Sequence, residues 1–169
     1  MKPTVRETVI FGMLGALVYA SKLIMEVLPN VHLIGVLIIA ITVVYRGKAL
    51  YPIYTFVLVS GFMSGFASWW VPYLYIWTVL WGGAMLLPKN MPGKAAPIVY
   101  MLLCAAHGFL YGTLYAPAQA LMFGLSLEQM LAWIATGLPW DFVHGVSNFF
   151  CGALICPLVG AIRRAQSSR

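Results

Sequence analysis

The chain has 169 residues, 62% of them hydrophobic and only 8% charged, with a mean hydropathy of +0.91. A soluble domain carries about 25% charged residues, so the composition excludes a water-exposed globular surface and points to one membrane domain over residues 1–169. The net charge of +6 is no nucleic-acid signal, because the basic residues flank apolar stretches instead of clustering on a face.

Six apolar stretches are expected to cross a bilayer. The first covers residues 7–28 and closes at Pro29-Asn30. Lys2 and Arg6 precede it and no small-residue cleavage pattern follows, so it reads as a retained span and not a signal peptide. It carries Gly12, Ala16 and Ala20, a ridge of small residues at four-residue steps that lets another helix approach closely, inside the bundle or from a second membrane protein. Lys22 and Glu26 follow at i, i+4, the spacing of a helical salt bridge. The second stretch, 31–45, is short against the roughly 20 helical residues a bilayer core needs, so it must thin the membrane locally or borrow length from its loops. Arg46-Gly47-Lys48 is a tight turn, and the third stretch, 49–67, tolerates Pro52 in its first helical turn.

Ser68-Trp69-Trp70 reads as an outer interfacial turn, since paired Trp favours the headgroup level. The fourth stretch, 71–87, repeats aromatics every four residues at Tyr73, Trp77 and Trp81, and ends in the loop Pro88–Lys94. The fifth, 95–123, repeats His107, Tyr111, Tyr115 and Gln119 at the same step. Between 124 and 139, Ser126 and Gln129 have the form of a capping box, and Leu127, Met130, Leu131 and Ile134 recur at helical spacing. That predicts a short amphipathic helix lying over the bundle, stopped by Gly137-Leu138-Pro139. The sixth stretch, 139–162, is anchored by Arg163-Arg164. The fold class is therefore all-α, an integral membrane six-helix bundle. With both termini cytoplasmic, Lys2, Arg6, Arg46, Lys48, Lys89, Lys94, Arg163, Arg164 and Arg169 all fall inside and only Lys22 outside, as the positive-inside rule requires.

That threading gathers the remaining polar residues at the outer end. Asp141, His144 and Asn148 are spaced i, i+3, i+7 and share one face of the last helix. A carboxylate inside a membrane helix costs roughly 2.5–3.5 kcal/mol on insertion scales, so it is paired or functional. Tyr115 and Gln119 are placed to meet Asp141 from the fifth span. Trp70, Tyr73 and Trp77 supply an aromatic wall, and aromatic walls with a few directed polar groups are the ordinary chemistry of a small-ligand pocket. Lys22 either pairs with Glu26, engages a ligand anion or neutralises Asp141. A metal site is not expected, because no second ligand pair has matching spacing, and Cys104, Cys151 and Cys156 lie inside apolar stretches as packed thiols. No P-loop, His-Glu-x-x-His, nucleophile elbow or zinc-spaced Cys pair is present, so nothing proposes an enzyme or a cofactor.

Ala16-Leu17-Val18-Tyr19-Ala20 is similar to the Ala-x-x-x-Ala signature of helix one in the substrate-binding S-components of energy-coupling factor (ECF) transporters. Leu138-Pro139-Trp140-Asp141 with His144 and Asn148 resembles the start of the last helix in many members. The resemblance implies a subunit of a prokaryotic plasma-membrane importer that captures a small water-soluble vitamin or related micronutrient. A transmembrane coupling subunit would dock on the small-residue ridge, and two ATPase subunits would supply the energy. The aromatic density favours a flat heterocyclic ligand. The residues alone leave open an autonomous facilitator or channel, and a small membrane enzyme using Asp141 and His144 as an acid–base pair.

Overall fold

The computed structural model describes residues 2–28 and 30–167. The helix stop expected at Pro29 and the inner-side charge expected at Arg169 lie outside these residues. The described chain is all helical: α1 (Val5–Met25), α2 (Ile34–Tyr45), α3 (Leu50–Ser64), α4 (Tyr73–Leu86), α5 (Ala96–Phe109), α6 (Tyr111–Phe123), α7 (Leu127–Cys151) and α8 (Ile155–Ser167). Short 3-10 turns fill Arg46–Ala49, Ser68–Trp70 and Gly152–Leu154.

Four helical runs are long and apolar enough to cross a membrane: Val5–Met25, Ile34–Ser64, Ala96–Phe123 and Leu127–Ser167. This differs from six separate spans. The expected second and third spans are α2 and α3, joined through the Arg46–Ala49 turn into one helical run that bends back on itself, and the fourth is α4, whose 14 residues cover only about 21 Å at 1.5 Å per residue. The amphipathic helix expected to lie apart between the fifth and sixth spans is also absent as a separate element. The Ser126–Gln129 capping box does form, but α7 then continues for 25 residues straight through Pro139. A proline inside a helix forfeits one hydrogen bond and crowds one carbonyl, and here that was insufficient to stop the helix.

Local chemistry explains the ends. Thr4 and Glu7 form a reciprocal capping box at α1. Gly124, at φ +64°, takes the left-handed conformation that closes α6. At Arg46 the backbone adopts φ +51° and the chain folds back: Trp77 touches both His32, ahead of α2, and Phe56, in α3. The turn is pinned at its end of the molecule. Arg46 donates to the carbonyls of Ala84 (3.3 Å) and Met85 (2.7 Å), Trp81 Nε1 donates to Arg46 O at 3.1 Å, and Lys48 pairs with Glu7 at 2.6 Å.

The core is organised around α2, whose ten residues Ile34–Val43 are all buried. A helix that is apolar all round belongs in the interior, and α1, α4, α5, α7 and α8 pack on this one. Many aliphatic and aromatic side chains are left exposed, among them Val5, Met13, Ile24, Phe62, Leu86 and Leu121. All three cysteines are free thiols, with Cys104 buried.

Candidate functional site

At the end of the molecule opposite Arg46, four rings close a circuit. Trp77 of α4 lies 6.0 Å from Tyr111 of α6, Tyr111 lies 4.8 Å from His144 of α7, His144 lies 4.3 Å from His32, and His32 lies 6.5 Å from Trp77, all between centroids. Tyr73 and Trp69 extend this wall from Trp77 in steps of 5.3 Å. Close helix approach makes the circuit possible. A Cβ on Gly108 would sit 2.9 Å from Gly145 Cα and from His144 O, so two glycines let α5 and α7 touch backbone to backbone and carry His144 and Asn148 inward.

The polar accounting singles the circuit out. Among the described residues, four buried side-chain atoms lack a hydrogen-bond partner: His32 Nδ1, Trp77 Nε1, His144 Nε2 and Asn148 Oδ1. Three belong to rings of the circuit, and the fourth lies one helical turn from His144. Trp77, His144 and Asn148 are 1%, 4% and 1% exposed. Each such atom left unmet costs about 1–3 kcal/mol, so water or a ligand group must answer them. The indole N–H can only donate and the amide oxygen can only accept, while each imidazole nitrogen does either according to its tautomer. The cluster therefore holds a mixed donor–acceptor set beside aromatic rings. Burial, with nearby His107 adding to it, pushes the His32 imidazole down to about 4, so this ring is neutral at pH 7. His32 stands in the loop ahead of α2.

The residues expected from the sequence sort into three groups. Tyr73, Trp77, His144 and Asn148 come together in the cluster, with Asn148 Nδ2 additionally donating to Cys104 O at 3.3 Å. Tyr115 and Lys22 stand at its rim: Tyr115 donates to Trp69 O at 3.1 Å and stacks on Trp133, and Lys22 pairs with Glu26 at 2.8 Å while lying 6.0 Å from the Trp69 ring. Trp70, Asp141 and Gln119 are placed otherwise. Trp70 Nε1 donates to Val57 O at 2.8 Å, anchoring its own turn. Gln119 is half-buried on α6 and joins none of these contacts. Asp141 meets neither Gln119 nor Lys22. Both of its oxygens accept the backbone N–H of Gly112, each at 3.0 Å.

That contact has a structural reason. α5 and α6 are separated by a break at Leu110, which leaves free N–H groups in the first turn of α6. A carboxylate from α7 caps one of them, at the helix end whose dipole favours negative charge. His107, the first residue of the four-residue stripe in the fifth stretch, bonds Ile76 O at 3.1 Å through Nε2.

His32 and Tyr111 complete the circuit and were not singled out as ligand contacts from the sequence. In the sequence His32 stands as a lone polar residue at the start of the second stretch, 31–45. Tyr111 lay on the four-residue stripe of the fifth stretch.

Of the ridge residues Gly12, Ala16 and Ala20, the first two stand clear of the core and Ala20 is half-buried. A Cβ on Gly12 would have nothing within 4 Å, and Ala16 is exposed. Gly15 makes the close internal approach instead, where a Cβ would meet Thr55 at 2.6 Å and Pro52 O at 2.8 Å.

Searched against family models, curated proteins and solved structures, the chain matches none of them.

Proposed function

We propose that this chain is the solute-capturing membrane subunit of an ATP-driven importer of the ECF type. The observation that carries the reading is that three of the four unmet polar atoms belong to the ring circuit of Trp77, Tyr111, His144 and His32, with the fourth, Asn148 Oδ1, one helical turn from His144. The ligand is a flat, polar micronutrient whose edge offers an acceptor to Trp77 Nε1 and a donor to Asn148 Oδ1. In this reading the chain crosses a prokaryotic plasma membrane six times with both termini inside. The fold-back at Arg46 supports separate crossings by α2 and α3, and α4 with its flanking turns makes the fourth. The ridge of Gly12, Ala16 and Ala20 is then the docking surface for a coupling subunit that brings two ATPases, which fits the exposure of Ala16, the open space beside Gly12 and the packing role taken by Gly15.

Native mass spectrometry of the purified chain tests the assignment. A retained small molecule is expected on the wild type and absent from His144→Ala, with uptake in cells requiring co-expressed ATPase subunits. Uptake that continues without any ATPase would make the protein a facilitator. Absence of any retained compound, with uptake indifferent to His144→Ala, would remove the site.

A further inference from the structure

The opposite end of the molecule, around Arg46, holds a recess. A groove of about 970 Å³ is lined by Glu7 of α1, by Arg46 and Lys48 of the fold-back turn, by Tyr51, Tyr54 and Leu58 of α3, and by Lys89 beyond α4. Three cations and one carboxylate line it, leaving a formal +2. Among the described residues, Glu7 is spent on Lys48, and neither Arg46 nor Lys89 has a carboxylate partner. Arg46 uses two guanidinium donors on the carbonyls of Ala84 and Met85, which fixes the fork and leaves other N–H groups to a ligand. Lys89 is exposed. Apart from Thr55, whose hydroxyl donates to Tyr51 O, the rest of the wall is apolar and aromatic. Tyr51, Tyr54 and Leu58 are 44%, 36% and 49% exposed and follow one another at three- and four-residue steps up one face of α3.

A positive mouth above an apolar track matches a molecule with an anionic head and a hydrocarbon tail. The Tyr54 hydroxyl is held against α4, donating to Leu74 O at 2.9 Å with Thr78 Oγ1 at 2.8 Å, which fixes its ring as part of the apolar track. We propose that this groove binds an acidic phospholipid, with its phosphodiester between Arg46 and Lys89 and an acyl chain along Tyr54 and Leu58. The proposal rests on the membrane reading given above and is independent of the solute site, since none of its residues belongs to the ring circuit.

The test mixes the purified full chain, in detergent, with equal amounts of phosphatidylglycerol and phosphatidylcholine and reads retained lipid by native mass spectrometry. Wild type should retain phosphatidylglycerol about tenfold over phosphatidylcholine. Lys89→Gln should cut that retention about fivefold, the equivalent of about 1 kcal/mol for one cation at an acidic surface. Lys94→Gln, which removes a neighbouring charge outside the groove, should leave it unchanged. Equal retention of the two lipids, an equal loss from Lys94→Gln, or displacement by millimolar inorganic phosphate would overturn the proposal. So would a protein held across the groove in place of lipid. If the membrane reading itself fails, the chain partitions with the soluble fraction and retains neither lipid, whereas a failed solute site shows in the same spectrum as a missing small molecule with lipid still bound.

Discussion

Replacing Asp141 separates a structural carboxylate from a recognition one. Its two oxygens share the N–H of Gly112 at 3.0 Å each, and the residue is 6% exposed. Asp141→Ala leaves that N–H buried without an acceptor and removes a charge-assisted bond, a loss of roughly 1.5–3 kcal/mol. Asp141→Asn keeps one neutral acceptor, and a neutral bond has about half the strength of a charged one, so the expected loss is about 1 kcal/mol. For a chain of this size each kcal/mol moves Tm by roughly 2–4 °C. The alanine variant should melt roughly 3–12 °C early and the asparagine variant roughly 2–4 °C early, in a fluorescence melt in detergent. Gly112→Ala attacks the same contact from the other side, since its Cβ would stand 2.5 Å from Asp141 Oδ2. Its destabilisation should therefore fail to add to that of Asp141→Ala. Solute retention measured on the same preparations should fall less than in His144→Ala. An Asp141→Asn variant that melts with wild type but loses its ligand more than tenfold would refute the capping argument and return the carboxylate to recognition.

Asn148→Leu should lower solute retention at least tenfold, read by native mass spectrometry, because it removes the acceptor Oδ1 from the cluster and also the bond to Cys104 O. Ala16→Leu should leave retention and melting near wild type while cellular uptake collapses, whereas Gly15→Ala should lower Tm, since its Cβ meets Thr55 and Pro52 O; the reverse pattern would place the ridge inside the fold. Single cysteines at Asn90 and Glu128, in a cysteine-free background, should differ in labelling by an impermeant reagent on whole cells, and reaction at Asn90 alone would invert the threading. His32 binds its proton near 6.5 when unfolded and near 4 when folded, so the unfolded chain gains the proton first on acidification. Stability should fall as pH drops from about 6.5 toward 4, and a His32→Phe variant should make that part of a melt-versus-pH curve less steep.

The elements that were legible from the chain were those written in short-range chemistry. The Ser126–Gln129 capping box starts α7 as expected, and the Lys22–Glu26 pair forms at its i, i+4 spacing. The same local reading misjudged Pro139, because whether a proline ends a helix depends on which neighbours satisfy the freed carbonyl. The face shared by His144 and Asn148 was visible as periodicity. Its closure by His32 and Trp77 was not, since that depends on how α2 and α4 pack and on the Gly108–Gly145 contact. Asp141 shows the limit most clearly. Its partner is a backbone N–H released by a break at Leu110, and a backbone group leaves no mark in a pattern of side chains.

The encasement of α2 has a consequence for the order in which the protein is made. Synthesis runs from the N-terminus, so α2 leaves the ribosome before α4, α5, α7 and α8, which later cover it. In the proposed membrane setting it must meanwhile lie against lipid. Its sequence, Ile34–Tyr45, suits that interval: the one hydroxyl among its ten buried residues, Thr42, donates to Ile38 O within the same helix at 2.7 Å. It therefore requires no partner while it waits. A polar residue placed on α2 would be satisfied, if at all, only by helices not yet translated, and its cost would fall on the newborn chain before it could reach the finished protein.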